Sequence, residues 1–492
     1  GGDTAGRSDV PILPNYDPAI ARLEDLVRRY PNFSKFDAAA YTLGTMYFSS
    51  QRYADAARMF EAVTQDDSSR FRPEAYFRLG DAQFELAAQQ RGAPRRQTFA
   101  RAAAAYEAAT QSAPPNGDIY FLALYKLGWA YYNQATATNQ EEYRRAVDVF
   151  GRLVASYDQL SSEQQARLGL QAEAIEYMAI AFTQVGGAEA ADQYFRGREG
   201  TGRYRLPVMR RVAQSLRDQG DFAGAVEAYR AVITEAPTDS AALGIQREIV
   251  DIYQNRVLDP EKAQEARLAL VENFGPSSAW AQANPGSGAE ATAAREEALR
   301  QSAHFRVLQA QQRNDRARFA EAAQLYGRYM QEFGQADSAQ RVALLYGEAL
   351  FGQQNYAEAG VQYSRAAYAF AQRDTALSQR AGQNAIVAFD SALVRNKNDR
   401  AAQDSMFAVV DRYVAAFPQT DLAKRALIQK GKRASESQRW DVMAQTFQTY
   451  AQLYPNDPYT PTAQKLVGDA MYRGGQYAGE LRPMAGNTGG DA

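Results

Sequence analysis

Ala40-Tyr41-Thr42-Leu43-Gly44-Thr45-Met46-Tyr47, followed at fixed offsets by Tyr53, Ala56, Phe60 and Val63, is the stretch that decides the fold. Sixteen residues separate Gly44 from Phe60, and the interval returns at Ala179/Phe195, Ala213/Tyr229, Gly347/Tyr363 and Gly431/Phe447. Eight residues beyond the aromatic, a closing slot holds Pro237 after Tyr229 and Pro455 after Phe447. A unit of about 34 residues built from two helices explains these offsets. Gly or Ala in the first helix allows close approach of a neighbouring helix, which a larger side chain would prevent. The aromatic of the second helix is expected to fill the gap between successive pairs. Proline at the end cannot continue a helix and biases its predecessor away from helical backbone, so it punctuates the unit.

This pattern resembles the tetratricopeptide repeat. Two further units keep it with insertions: Leu79-Gly80 with Ala102, Tyr106 and Pro114, with extra residues around Gln89–Arg96; and Leu127-Gly128-Trp129 with Ala146 and Phe150, with extra residues at Ala135–Gln140. Second helices alone are legible at Pro260–Phe274, Phe319–Phe333 and Met406–Phe417; Asp17–Tyr30 reads as a lone helix, and Thr462–Arg473 as a final first helix. The resemblance implies an all-α, right-handed α-solenoid of about twelve helix-turn-helix units, each covering the apolar face its neighbour cannot bury alone. The expected layout is a flexible leader (1–16), a solenoid segment (17–283), a turn-rich break (284–288), a second segment (289–480) and a Gly-rich tail (481–492). The break is either a division between segments or one long loop. Arg395–Asp404 reads as another long loop.

Composition argues against an enzyme. The 492 residues contain no Cys and one His, which removes thiolate chemistry, disulfides and His-rich metal sites. A serine hydrolase would depend wholly on His304, which sits in a helical stretch. The paired carboxylates Asp66-Asp67 and Glu296-Glu297 read as solvated, and Gly197–Gly202 reads as an inter-repeat loop, because no strand precedes it and no Gly-Lys-Ser/Thr follows. Asn32-Phe33-Ser34 matches the glycosylation acceptor pattern, a three-residue match that chance supplies at this length. No cofactor or metal is expected. A net charge of −2 gives no electrostatic reason to bind nucleic acid. No apolar run is long enough to span a bilayer, so membrane association is expected only through a lost lipid anchor or a partner.

Only 8 of the 55 basic residues are lysine, a bias that, with abundant Ala and Gly, points to a GC-rich bacterial genome. The polar opening Gly1–Asp9 reads as what an export signal leaves behind, with an expression boundary as the alternative; absent Cys fits an oxidising compartment. Closing segments such as Tyr30-Pro31-Asn32, Phe417-Pro418-Gln419 and Tyr454-Pro455-Asn456 resemble the joints of bacterial envelope repeat proteins, of the outer-membrane assembly lipoprotein and periplasmic cell-division coordinator type. That resemblance implies an exported protein, periplasmic or at the cell surface.

In repeats of this type the first helix lines a concave groove through its fifth, ninth and twelfth positions. These hold Tyr41 and Phe48, then Phe77 and Phe84, then Tyr125, Trp129 and Tyr132. Further along they hold Arg210, Gln214 and Arg217, a change from aromatic to basic suited to reading a carboxylate. An aromatic-lined groove suits a peptide or partner helix. The alternative for any single aromatic is burial against neighbouring helices. The leading expectation is therefore a non-enzymatic scaffold for other proteins or peptides. The runner-up is a self-associating filament or ring subunit, in which a helix of the second type at one end and of the first type at the other complete each other between copies.

Overall fold

The computed structural model describes residues 16–196, 198, 202–370 and 374–475; the leader up to residue 15, the tail 481–492 and most of Gly197–Gly202 lie outside them. The described residues form twenty-four α-helices and no strand, with one isolated bridge between Thr136 and Asn139. They fall into two units, one up to Leu258 and one from Asp259.

The first unit begins with α1 (Asp17–Arg29) and continues as helix pairs: α2 (Phe36–Ser49) with α3 (Tyr53–Thr64), α4 (Arg72–Ala88) with α5 (Gly92–Ser112), and α6 (Asp118–Gln134) with α7 (Glu141–Tyr157). After the short α8 (Ser162–Leu168) come α9 (Gln171–Thr183) with α10 (Gly187–Arg196) and α11 (Gly202–Asp218) with α12 (Phe222–Glu235); α13 (Ala242–Asp251) then runs into a π-helical turn, Ile252–Arg256. The second unit holds α14 (Pro260–Asn273), α15 (Ala279–Ala283), the pairs α16 (Gly288–Arg313) with α17 (Arg316–Glu332), α18 (Ala339–Gly352) with α19 (Tyr356–Tyr368), α20 (Thr375–Arg395) with α21 (Arg400–Ala416) and α22 (Asp421–Glu436) with α23 (Trp440–Leu453), and finally α24 (Thr460–Arg473). Within each unit the members of a pair pack together, and alternate helices also meet, as in α4 with α6, α9 with α11 and α18 with α20. The architecture is an all-α solenoid.

The sixteen-residue interval has a direct cause. In three pairs at that interval, and in the two pairs with extra residues between their helices, the aromatic of the second helix packs against the glycine of its own first helix. A methyl group on that glycine would sit 2.8 Å from the Phe60 ring at Gly44, 2.5 Å from Tyr106 at Gly80, and 2.6 Å from Phe150 at Gly128. At Gly347 it would meet Tyr363 at 2.5 Å, and at Gly431 Phe447 at 2.4 Å. The ring thus locks the two helices of one pair, and Phe150 also meets Tyr177 of the next first helix with ring centroids 6.3 Å apart. Phe60, Tyr106 and Phe150 are fully buried there.

The proline joints follow from backbone sterics. Tyr30, Ala236, Phe417 and Tyr454 each precede a proline and each end a helix, with φ between −135° and −128° and ψ between 52° and 67°. Phe274 and Phe333 occupy the same slot before a glycine and stay near ψ 24° and 22°. After the last joint, Asp457 accepts the Tyr459 backbone N–H at 3.0 Å, the Tyr450 hydroxyl at 2.9 Å and the Lys424 ammonium at 2.9 Å. These donors favour the ionised form and hold its carboxyl down at about 2.

Other expectations need adjustment. Arg395–Asp404 is not a long loop: only residues 396–399 lie between α20 and α21, because Asp399 caps α21 by accepting from the Ala402 N–H at 3.0 Å. The insertion at Gln89–Arg96 is absorbed by lengthening α5 to 21 residues, with only residues 89–91 left between the helices. Residues 284–288 hold a short 3₁₀ turn, Pro285–Ser287, leading into α16. Just before it Trp280, 2% exposed, packs edge-on against Phe274 at 5.2 Å. Glu296 is not a free solvated carboxylate, since it accepts from Ser338 at 2.6 Å and from the Tyr329 hydroxyl at 2.5 Å.

Gly128→Ala should destabilise the chain by ~1–3 kcal/mol, because overpacking against Phe150 outweighs the ~1 kcal/mol that alanine gains in a helix. Gly244→Ala is the matched control: it lies in α13 with open space around it and should be neutral or stabilising. Urea unfolding midpoints of the two full-length variants check both signs; equal destabilisation would refute the ring-on-glycine lock.

Candidate interaction surface

The first-helix face of the first unit changes character along the chain. Tyr41 on α2 stacks on Phe71 at 5.3 Å and meets Phe60 edge-on at 5.7 Å, with the Glu74 carboxylate of α4 near its hydroxyl. Phe48 packs on Tyr53 at the turn. Phe77 is 6% exposed and packs against Tyr106, so it belongs to the core. Phe84 is half-buried against Phe99, with the Lys126 ammonium 5.5 Å from its ring.

The densest cluster lies where α6 meets α9. Trp129 touches Tyr177 of α9 with ring centroids 4.0 Å apart, and Tyr132 lies edge-on to Trp129 at 6.0 Å. Tyr132 in turn meets Tyr143 at 5.3 Å. The Tyr125 hydroxyl donates to Glu173 of α9 at 2.6 Å. Tyr125, Trp129, Tyr132 and Tyr177 are all half-buried, each with part of its ring open to solvent. Burial, followed by the adjacent carboxylate, pushes the Tyr125 hydroxyl up to about 12, and the same pair of causes acts on Tyr41. Sequence reasoning missed Tyr177 and Glu173. They sit one turn earlier on their helix than the positions taken as groove-lining, counted from Ala179, and reach back to the preceding first helix.

Beyond α9 the face becomes ionic. Arg210 pairs with Asp239 at 3.0 Å and Arg217 with Glu248 at 2.6 Å, while Arg211 reaches back to Glu176 at 2.8 Å. Arg210 and Arg217, expected to read a carboxylate, therefore already hold carboxylates of their own chain. In the second unit, His304 is exposed on α16; Arg380 of α20 holds Glu348 of α18 at 3.0 Å, and burial raises that carboxyl. Among the described residues no cluster of three or more His, Asp or Glu side chains is arranged to hold a metal ion, and no helix is long and apolar enough to cross a membrane.

Two segments match the description "Tetratricopeptide repeat", residues 122–159 and 208–239. The chain carries tetratricopeptide repeats. The matched segments are the α6/α7 and α11/α12 pairs, and repeats of this kind bind other proteins or peptides. No curated protein matches the chain. A solved structure entitled "Structure of Naa15/Naa10 bound to HypK-THB" aligns at 12% identity over 95% of this chain and 90% of that one, with a TM-score of 0.27, too weak a likeness to bear on function.

The buried tyrosines set an alkaline limit. Tyr41, Tyr47 and Tyr125 ionise only at about 12 in the folded chain, against 10.0 for free tyrosine. A raised folded value means the stability is fully present below pH 10 and is lost as pH rises from there towards 12. Tyrosinate absorbance and loss of helical circular dichroism should therefore rise together in a pH titration. Complete ionisation of the tyrosines well below the unfolding transition would contradict this.

Proposed function

We propose that the protein is a non-enzymatic scaffold that binds partner polypeptides along the first-helix face of its first unit. One observation carries this reading: Trp129 and Tyr177, from successive first helices, pack at 4.0 Å with their rings still partly open, beside the half-buried Tyr125 and Tyr132. Large aromatic side chains left part-wet across two helices offer contact area at low entropic cost, the pattern of interaction hot spots. The repeat match over residues 122–159 covers most of α6 and all of α7, which supports placing the binding surface there.

A place in the bacterial cell envelope is part of the proposal. It is supported by the absence of Cys, the bias towards arginine and the proline joints. Fractionation of the native host, with the chain followed alongside cytoplasmic and periplasmic markers, tests the compartment.

The binding reading is tested by replacing single residues with a photo-crosslinking phenylalanine analogue in the native host. Analogues at Tyr41, Trp129 and Tyr132 should give discrete adducts of defined mass. An analogue at exposed Arg101, on a second helix, should give none. Adducts of equal yield from Arg101, or none from the aromatic positions, would refute it.

A further inference from the structure

Two tyrosine–glutamate pairs on the first-helix face are built alike and finished differently. In both, a tyrosine from one first helix faces a glutamate near the start of the next: Tyr41 lies close enough to Glu74 for the carboxylate to raise its hydroxyl, and Tyr125 bonds Glu173 at 2.6 Å. On α4 the residue four positions after the glutamate is Arg78, whose guanidinium lies 3.9 Å from Glu74. On α9 the residue four positions after Glu173 is Tyr177. The internal cation of the first pair is thus replaced by an aromatic ring in the second. Among the described residues, no ammonium or guanidinium lies within ion-pair distance of Glu173. None sits over the rings of Tyr125, Trp129, Tyr132 or Tyr177 either, the cation–π contacts of this region being Lys126 on Phe84 and Arg145 on Tyr131. Arg211 of the following first helix is committed to Glu176 at 2.8 Å.

We infer that the α6/α9 cluster is a receptor for a cationic side chain, an arginine or lysine of the bound partner, held between the Glu173 carboxylate and the ring faces of Trp129 and Tyr177. A cation over an aromatic face is attracted by the ring quadrupole, and a flanking carboxylate adds direct charge pairing. The aliphatic stem of arginine or lysine lies on apolar ring surface while the charged head reaches the acid. Tyr125 positions the carboxylate by donating to it and leaves its other lone pairs for the incoming donor. The inference rests on the scaffold reading above and names the chemistry its surface selects.

The test uses the full chain labelled with 5-fluorotryptophan, which gives one fluorine resonance for each of its three tryptophans. Trp129→Phe assigns the reporter. The probes are N-acetyl-arginine amide and its neutral isostere N-acetyl-citrulline amide. The arginine compound should shift the Trp129 resonance saturably, in the millimolar range expected of a single side chain, and the citrulline compound should bind about tenfold more weakly. Glu173→Gln should cost about the same factor. Tyr177→Arg, which restores the arrangement of α4, should abolish the response while circular dichroism shows the chain still fully helical. Equal shifts from both probes, an unaltered affinity in Glu173→Gln, or no Trp129 shift at all would overturn the cation site. None of these would touch the scaffold reading, which stands or falls on the crosslinks at Tyr41, Trp129 and Tyr132.

Discussion

Five helix pairs of this chain depend on an aromatic ring packed over a glycine of its own first helix. The glycine stands 16 residues earlier at Gly44, Gly347 and Gly431, and further back at Gly80 and Gly128, where the intervening turn carries extra residues. With no Cβ at that position the two helices of a pair close until the ring fills the space between their backbones, and the contact fixes where each helix stands along the other. Because Phe60, Tyr106 and Phe150 are fully buried there, each pair gains a small core of its own before any neighbour is added. Stacking then covers what remains exposed. Van der Waals contact of this kind tolerates little change in volume, which is why the small residue and the ring recur together while most other positions drift.

The second unit strengthens the ends of its pairs in a way the first does not. Tyr329, Tyr413 and Tyr450 are fully buried near the ends of α17, α21 and α23, and each packs on an aromatic four residues later: Phe333, Phe417 and Tyr454. Their hydroxyls are then satisfied by side chains of another segment: Ser338 at 2.7 Å for Tyr329, Gln383 at 3.1 Å for Tyr413 and Asp457 at 2.9 Å for Tyr450. A buried hydroxyl without a partner would cost more than the ring contributes, so aromatic and polar partner must appear together. The same economy is visible on α11, where guanidiniums meet carboxylates from both neighbouring first helices instead of waiting for a ligand.

Much of this was legible in the sequence because, in the units without insertions, the repeat is a contact between residues at constant separation. Gly44/Phe60 and Gly431/Phe447 announce their geometry through spacing alone, and Tyr454-Pro455 announces a helix end through sterics. What the residues did not reveal was which way the ring points, since a sixteen-residue offset fits contact within a pair and contact between pairs equally. Arg395–Asp404 looked like a loop because it is polar, yet Asp399 is a cap and the helices close around it. The short α8 was signalled by a capping box, Ser161 with Gln164, that is easily passed over in a polar stretch. Of the surface residues, Tyr125, Trp129 and Tyr132 could be placed by register. Tyr177 and Glu173 could not, because their role depends on how far one first helix is rotated relative to the next, which no single-sequence period encodes.

The lengthening of α5 carries a consequence for how such a chain can change. The added residues extend a helix by whole turns beyond the ring-on-glycine contact of Tyr106 with Gly80, so the lock and everything downstream keep their register. Length is thus free to vary at the turn that joins the two helices, so glycine and ring stand 26 residues apart here and 22 at Gly128/Phe150 against 16 at Gly44/Phe60. The boundary of that freedom is the contact itself. Deletions or duplications that respect this boundary leave each pair able to close by contacts local in sequence, so the array can grow, shrink or fold one pair at a time without a long-range contact having to form first.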